Sequence, residues 1–123
     1  MATDRDIEKF IGDSFSSVWD LELLSLLLKH PDQGTTATEL VERMRSSELI
    51  VARGIETLVA AGLAAIEGDG RLRFRPISET LAECARRTCE FYARFPGRAR
   101  RLIVARHSPG LDAFADAFRL RKD

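Results

Sequence analysis

At 123 residues, with 45% hydrophobic and 31% charged side chains, the chain has the size and composition of one globular domain, which excludes an intrinsically disordered protein. No apolar run reaches the roughly 18–20 residues that cross a bilayer, since the longest, Leu21 to Leu28, is interrupted by Glu22. The formal net charge is zero, and the acidic, polar opening MATDRDIEK is unlike a secretory leader, so the cytoplasm is the expected location and no membrane partner is expected.

Thr3 followed by Asp6 marks a helix start, and Ile7, Phe10 and Ile11 form its apolar stripe. Gly12 with Ser14, Ser16 and Ser17 predicts a break or bend. The next helix is expected from about Ser17 to His30, where Pro31 stops it. Val18, Trp19, Leu21, Leu23, Leu24, Leu26, Leu27 and Leu28 surround this helix almost completely. It must therefore be covered on more than one side, by the C-terminal helices or by a second subunit. Pro31 to Gly34 reads as a turn. Thr36 and Glu39, at capping-box spacing, open a short helix whose apolar face is Leu40, Val41 and Met44. Ser47 is the N-cap expected for the next helix, which carries Val51, Ile55, Leu58 and Val59 to about Ala61 and ends at Gly62.

After Gly62 the period changes from helical to alternating. Ala64 to Glu67, the turn Gly68-Asp69-Gly70, and Arg71 to Arg75 predict a β-hairpin. Leu72 and Phe74 face one way and Arg71, Arg73 and Arg75 the other. Pro76 ends the strand, and Ser78 caps a long helix to about Phe95 that Pro96-Gly97 should break. The stretch Arg98 to His107 reads as a short helix rather than a strand. Ser108 and Pro109 then open a final helix, with Leu111, Phe114, Ala115 and Phe118 at helical spacing before the polar RLRKD.

Charge is unevenly spread. Residues 1–62 carry 6 basic against 11 acidic side chains, a balance of −5. Residues 63–123 carry 13 against 8, a balance of +5, and twelve of those 13 are arginines. Such asymmetry marks either a nucleic-acid-facing half or an acidic half that pairs with the basic half of a second subunit.

The order helix, helix, tight turn, helix, hairpin is that of a winged helix-turn-helix, and the stretch TATELVERMRSSELIVARGIETLVAAGLAAIEGDGRLRFRP resembles the MarR-like regulators of bacteria. Those regulators place an apolar residue, Arg two later, apolar residues at four and seven, and Gly-Leu at eleven and twelve. Val51, Arg53, Ile55, Leu58, Gly62 and Leu63 match each position. The resemblance implies a mainly α fold with a small β-hairpin wing, a winged helix-turn-helix with extra N- and C-terminal helices. Residues 1–123 would form one domain, with a core over 17–76 and a helical extension over 78–120. It also implies a homodimeric transcription regulator of double-stranded DNA, with the helices of Ser17 to His30 and Ser78 to Phe95 at the subunit interface.

On that reading Ser46, Ser47, Glu48, Leu49, Ala52, Arg53 and Glu56 face the major groove. Arg53 is the base or phosphate contact, and Glu48 is able to accept from a cytosine amino group. Arg71, Arg73 and Arg75 would put three guanidinium groups on backbone or minor groove, although charges on an exposed strand also keep an edge soluble. Arg98, Arg100 and Arg101 would extend the patch or bind a partner subunit. The acids and Leu49 on the same face support an alternative, a protein-interaction module that sequesters a transcription or signalling factor. In that case Phe114 and Phe118 would enter a partner groove, unless they fold back over the leucine-rich helix.

Other chemistries have little support. His30 and His107 stand at helix ends without a triad partner, EGDG belongs to a turn, and Cys84, Cys89, His30 and His107 lack metal-ligand spacing. No enzyme, metal or cofactor is expected. Cys84 and Cys89, five apart on one helix, point away from each other and are expected as packed thiols.

Overall fold

A computed structural model describes residues 3–107. These form six helices and one two-stranded antiparallel sheet: α1 Asp4–Ser14, α2 Val18–Lys29, α3 Ala37–Met44, α4 Glu48–Ala60, β1 Ala64–Ile66, β2 Leu72–Phe74, α5 Glu79–Arg94 and α6 Pro96–His107. None is long and apolar enough to cross a membrane. Phe114 and Phe118 lie outside the described residues, as does the helix expected from Ser108.

Most helices start where a short polar side chain replaces a missing backbone partner. Thr3 and Asp6 form a reciprocal capping box on α1. The hydroxyls of Thr36, Ser47 and Ser78 accept from the N–H groups of Glu39, Ile50 and Leu81 at 3.1–3.2 Å. At α2 the carboxylate of Asp20, 2% exposed, accepts from the N–H groups of both Ser16 and Ser17, at 2.7 and 3.0 Å. Both expected breaks are present, at Phe15–Ser17 and at Phe95–Pro96. α1 runs straight through Gly12, which is buried because α6 passes there; a Cβ at Gly12 would lie 3.5 Å from the Leu102 carbonyl oxygen. The chain bends only at Phe15–Ser17. Pro96 separates α5 from α6, as expected, and is itself the first residue of α6, where its fixed φ suits the first helical position and its absent N–H costs nothing.

α2 is the central helix. It packs against α4, α5, α3, α6 and β2, with Leu21, Leu23, Leu24 and Leu27 buried among Leu40, Val51, Leu58, Leu63 and Leu72. Of the covers the sequence allowed, α5 and α6 supply one within the chain, while Val18, Trp19, Leu26 and Leu28 stay half-buried. A further layer joins α1, α5 and α6 through Ile7, Ile11, Phe15, Ala85, Ala99 and Ile103. Gly54 lets α4 approach α2 closely, for a Cβ there would sit 3.0 Å from Leu23 Cδ2.

α4 ends in a Schellman arrangement. Leu63 N–H reaches the Leu58 carbonyl and Gly62 N–H the Val59 carbonyl, both at 3.0 Å, with Gly62 at φ +76°. The hairpin leaves directly from this turn in the register Ala64↔Phe74, Ala65↔Arg73, Ile66↔Leu72. Its three-residue loop has Gly70 at φ +83°, the left-handed position such a loop demands. Thr35, between α2 and α3, pairs with Leu72 through two 2.8 Å hydrogen bonds and ties the hairpin to the helices.

Candidate nucleic-acid interface

α3 meets α4 across a three-residue turn, Arg45 to Ser47. Arg45 holds a left-handed backbone (φ 51°), the only positive φ of a non-glycine among the described residues, and its side chain is exposed. The outer face of α4 is open to solvent along its length. Glu48, Leu49, Ala52, Arg53 and Glu56 are all exposed, as expected, and Leu49 is 59% so. Arg53 makes no ion pair among the described residues.

Ser47 is also exposed, with its oxygen engaged as N-cap and its hydroxyl hydrogen left to donate. Ser46 departs from expectation. Its Oγ is sealed from solvent and has no hydrogen-bond partner among the described residues.

The hairpin changes more. β2 spans Leu72–Phe74, with Leu72 buried and Phe74 half-buried against the core, as the alternation predicts. The three arginines do not form a free stripe. Arg73 lies across the sheet from Ala65, which places it diagonally opposite Glu67, and its guanidinium pairs with that carboxylate. Arg71 lies 3.6 Å from Asp69 and also donates to the Gly34 carbonyl at 3.4 Å. Only Arg75 of the three is exposed and without an ion pair among the described residues. A neutralised guanidinium attracts phosphate less, so the expected contribution of the hairpin falls from three charges to one.

The C-terminal arginines are similarly divided. Arg87 pairs with Asp4 at 3.0 Å, Arg98 with Glu8 at 2.5 Å and Arg106 with Asp13 at 3.3 Å, all across to α1. Arg98 is therefore committed within its own chain. Arg100 and Arg101 are exposed. An open cleft of about 680 Å³ between α1, α5 and the start of α6 is lined by Arg87, Arg94 and Arg98 and by Asp4, Glu8 and Glu90. Its three cations meet three acids, which leaves no excess charge for an anion.

Sequence reasoning missed Arg45 because a left-handed arginine leaves no compositional trace; glycine or asparagine is the usual signal there. Two titratable groups away from the α4 face, Cys89 and Tyr92, are engaged in packing. Burial pushes the Cys89 thiol up, the Ser25 hydroxyl 3.6 Å from its sulfur only partly offsetting this, which disfavours a reactive thiolate. Both cysteines are free thiols. Tyr92 on α5 donates its hydroxyl to Glu22 on α2, and burial together with this bond raises its pKa to about 12. Among the described residues no group of three or more His, Cys, Asp or Glu side chains is placed to hold a metal ion. In comparison with known proteins, no family model and no curated protein matches the chain.

Proposed function

We propose that the chain is a DNA-binding transcription regulator of the winged helix-turn-helix type, acting as a homodimer and not as an enzyme. The observation that carries this reading is the placement of α4. It is propped by α3 across the Arg45 turn, flanked by a hairpin at its C-terminal end, and open to solvent along one face. A helix presented in this way fits a major groove about 12 Å wide. Arg53 is the direct contact, Ser47 and Arg45 are phosphate contacts at the N-terminal end of α4, and Arg75 is the cation on the hairpin. In a twofold dimer the two α4 helices would enter successive major grooves about 34 Å apart.

The test is fluorescence anisotropy with duplex DNA from upstream of the protein's own coding region, against a scrambled duplex, at low and physiological salt. Selective binding that persists at physiological salt supports the reading. Equal loss of both duplexes as salt rises, or no binding, refutes it. A second reading, capture of a protein partner by the α4 face, is favoured by one observation. Leu49 is 59% exposed between Glu48 and Ala52, an apolar side chain with no partner on a face that also carries Glu56. On that reading Leu49→Arg abolishes capture and leaves the fold intact.

A further inference from the structure

A cleft of about 360 Å³ lies between the first turn of α2 and α6, with apolar walls of Val18, Trp19, Ile103 and Val104. Val104 is 43% exposed and Val18 and Trp19 are half-buried, so part of what the other helices leave uncovered on α2 faces this cleft. The charge in its lining is Arg100, which is exposed and makes no ion pair among the described residues. Arg98 and Arg106 on the same helix are held by Glu8 and Asp13, and the nearby Asp20 carboxylate is turned into the backbone of Ser16 and Ser17. Beyond the described residues the chain runs on from the end of α6. There Leu111, Phe114, Ala115 and Phe118 share one side at helical spacing, and the charges before Arg119 are both acidic, Asp112 and Asp116.

We propose that residues 111–118 of this same chain occupy the cleft, antiparallel to α6, with Phe114 level with Val104 and Phe118 level with Arg100 and Trp19. The lengths agree, since residues 111–118 and residues 100–107 are eight each, or roughly 12 Å of helix. Ser108 precedes a proline, which biases it to extended backbone and stops α6, and Ser108 to Gly110 suffices to reverse the chain between neighbouring helices. The polarity agrees as well, because two phenyl rings and Leu111 are removed from water against Val18, Trp19 and Val104. Charge favours this face over others. Asp112 and Asp116 meet Arg100 and Arg101, the exposed α6 cations without an ion pair among the described residues, whereas the α1–α5 cleft already balances its own charges. Docked in this way, Phe114 and Phe118 belong to the core of their own protomer and not to a partner groove. The inference does not rest on the DNA-binding reading and stands or falls apart from it.

The experiment reads Trp19, the only tryptophan of the chain, by emission and acrylamide quenching in the full-length protein. Phe118→Ala is expected to shift Trp19 emission to longer wavelength and to raise quenching, with the helices α1–α6 retained by circular dichroism. Ile66→Ala, an exposed apolar side chain on β1, should change neither. Asp116→Lys should act in the same direction as Phe118→Ala, and adding Arg100→Glu and Arg101→Glu to it should return emission towards the wild type. The wild-type spectrum should stay constant on dilution. Unmoved emission and quenching in both Phe118→Ala and Asp116→Lys overturn the docking. A wild-type spectrum that shifts on dilution, with the shift abolished by Phe118→Ala, assigns the cleft to the tail of a second copy and overturns it equally.

Discussion

The turn that launches the hairpin from α4 provides a quantitative test of the fold through its glycines. Gly62 sits at φ +76°, where an L side chain costs roughly 1–2 kcal/mol. A Cβ there would also lie 2.9 Å from Ile77 Cδ1 and 3.0 Å from Ile77 Cγ1. Ile77 is 79% exposed and can rotate aside, so the contact adds less than the backbone does. Against this, alanine restricts the unfolded chain and returns roughly 0.4–1 kcal/mol. Gly62→Ala should therefore destabilise by about 1 kcal/mol, or somewhat more. Gly70, at φ +83° with nothing within 4 Å of a Cβ, isolates the backbone part, so Gly70→Ala should cost slightly less than Gly62→Ala. Gly68 has neither a positive φ nor a neighbour, and Gly68→Ala should be neutral or mildly stabilising. Urea unfolding of the three variants, compared at fixed m value, measures the order. Equal costs at all three positions, or a neutral Gly62→Ala, would refute the reasoning.

Three further expectations concern charges and one strained backbone. Arg75→Ala should lower the salt slope of DNA binding by about 0.9, Arg73→Ala by less, and Glu67→Gln should strengthen binding by freeing Arg73; anisotropy across a salt series separates them. Tyr92→Phe should lose the tether between α2 and α5. Because the phenol pKa is raised from 10.0 to about 12, that tether contributes fully below pH 10 and is lost as pH rises through 12, so wild-type and variant urea midpoints should differ at pH 7 and converge in strong alkali. Arg45→Gly should relieve the left-handed strain, raising stability by about 0.5–1 kcal/mol after the entropy cost of glycine, while weakening DNA binding. Thermal melts and anisotropy on that one variant would then move in opposite directions, whereas a pure turn residue would change only the melt.

Much of the fold was legible because its signals are local. Thr3, Thr36, Ser47 and Ser78 each cap the helix that the sequence places after it, and the GDG turn and Gly62 sit where left-handed backbone is needed. Gly12 and Pro96 play different parts at the two expected breaks, which fall at Phe15–Ser17 and Phe95–Pro96. A glycine that reads as a breaker is tolerated inside α1 because α6 packs against it, and a proline that stops one helix is equally suited to start another. The candidate interface was less legible, since which arginine meets which acid is decided by tertiary contact. Arg73 with Glu67 follows from hairpin register and was within reach of the sequence. Arg87 with Asp4 joins residues at opposite ends of the described chain, and no local pattern signals it.

The charge asymmetry of the chain therefore has a different meaning from the one its sequence invites. Three of the basic side chains beyond residue 62 answer acids of α1, so much of the apparent positive field of the C-terminal half is cancelled within the protomer. Two more are held inside the hairpin by Asp69 and Glu67. At the α4 face and the hairpin, the exposed cations without an ion pair among the described residues are Arg45, Arg53 and Arg75. If all three meet phosphate, the salt slope is about 2.7 per subunit, and Glu48 and Glu56 beside them can only reduce it. A measured slope between about 2 and 3 per subunit fits these three. A slope well above that requires Arg71 and Arg73 to leave their acids on binding, and a slope near zero would remove the phosphate contacts on which the DNA reading depends.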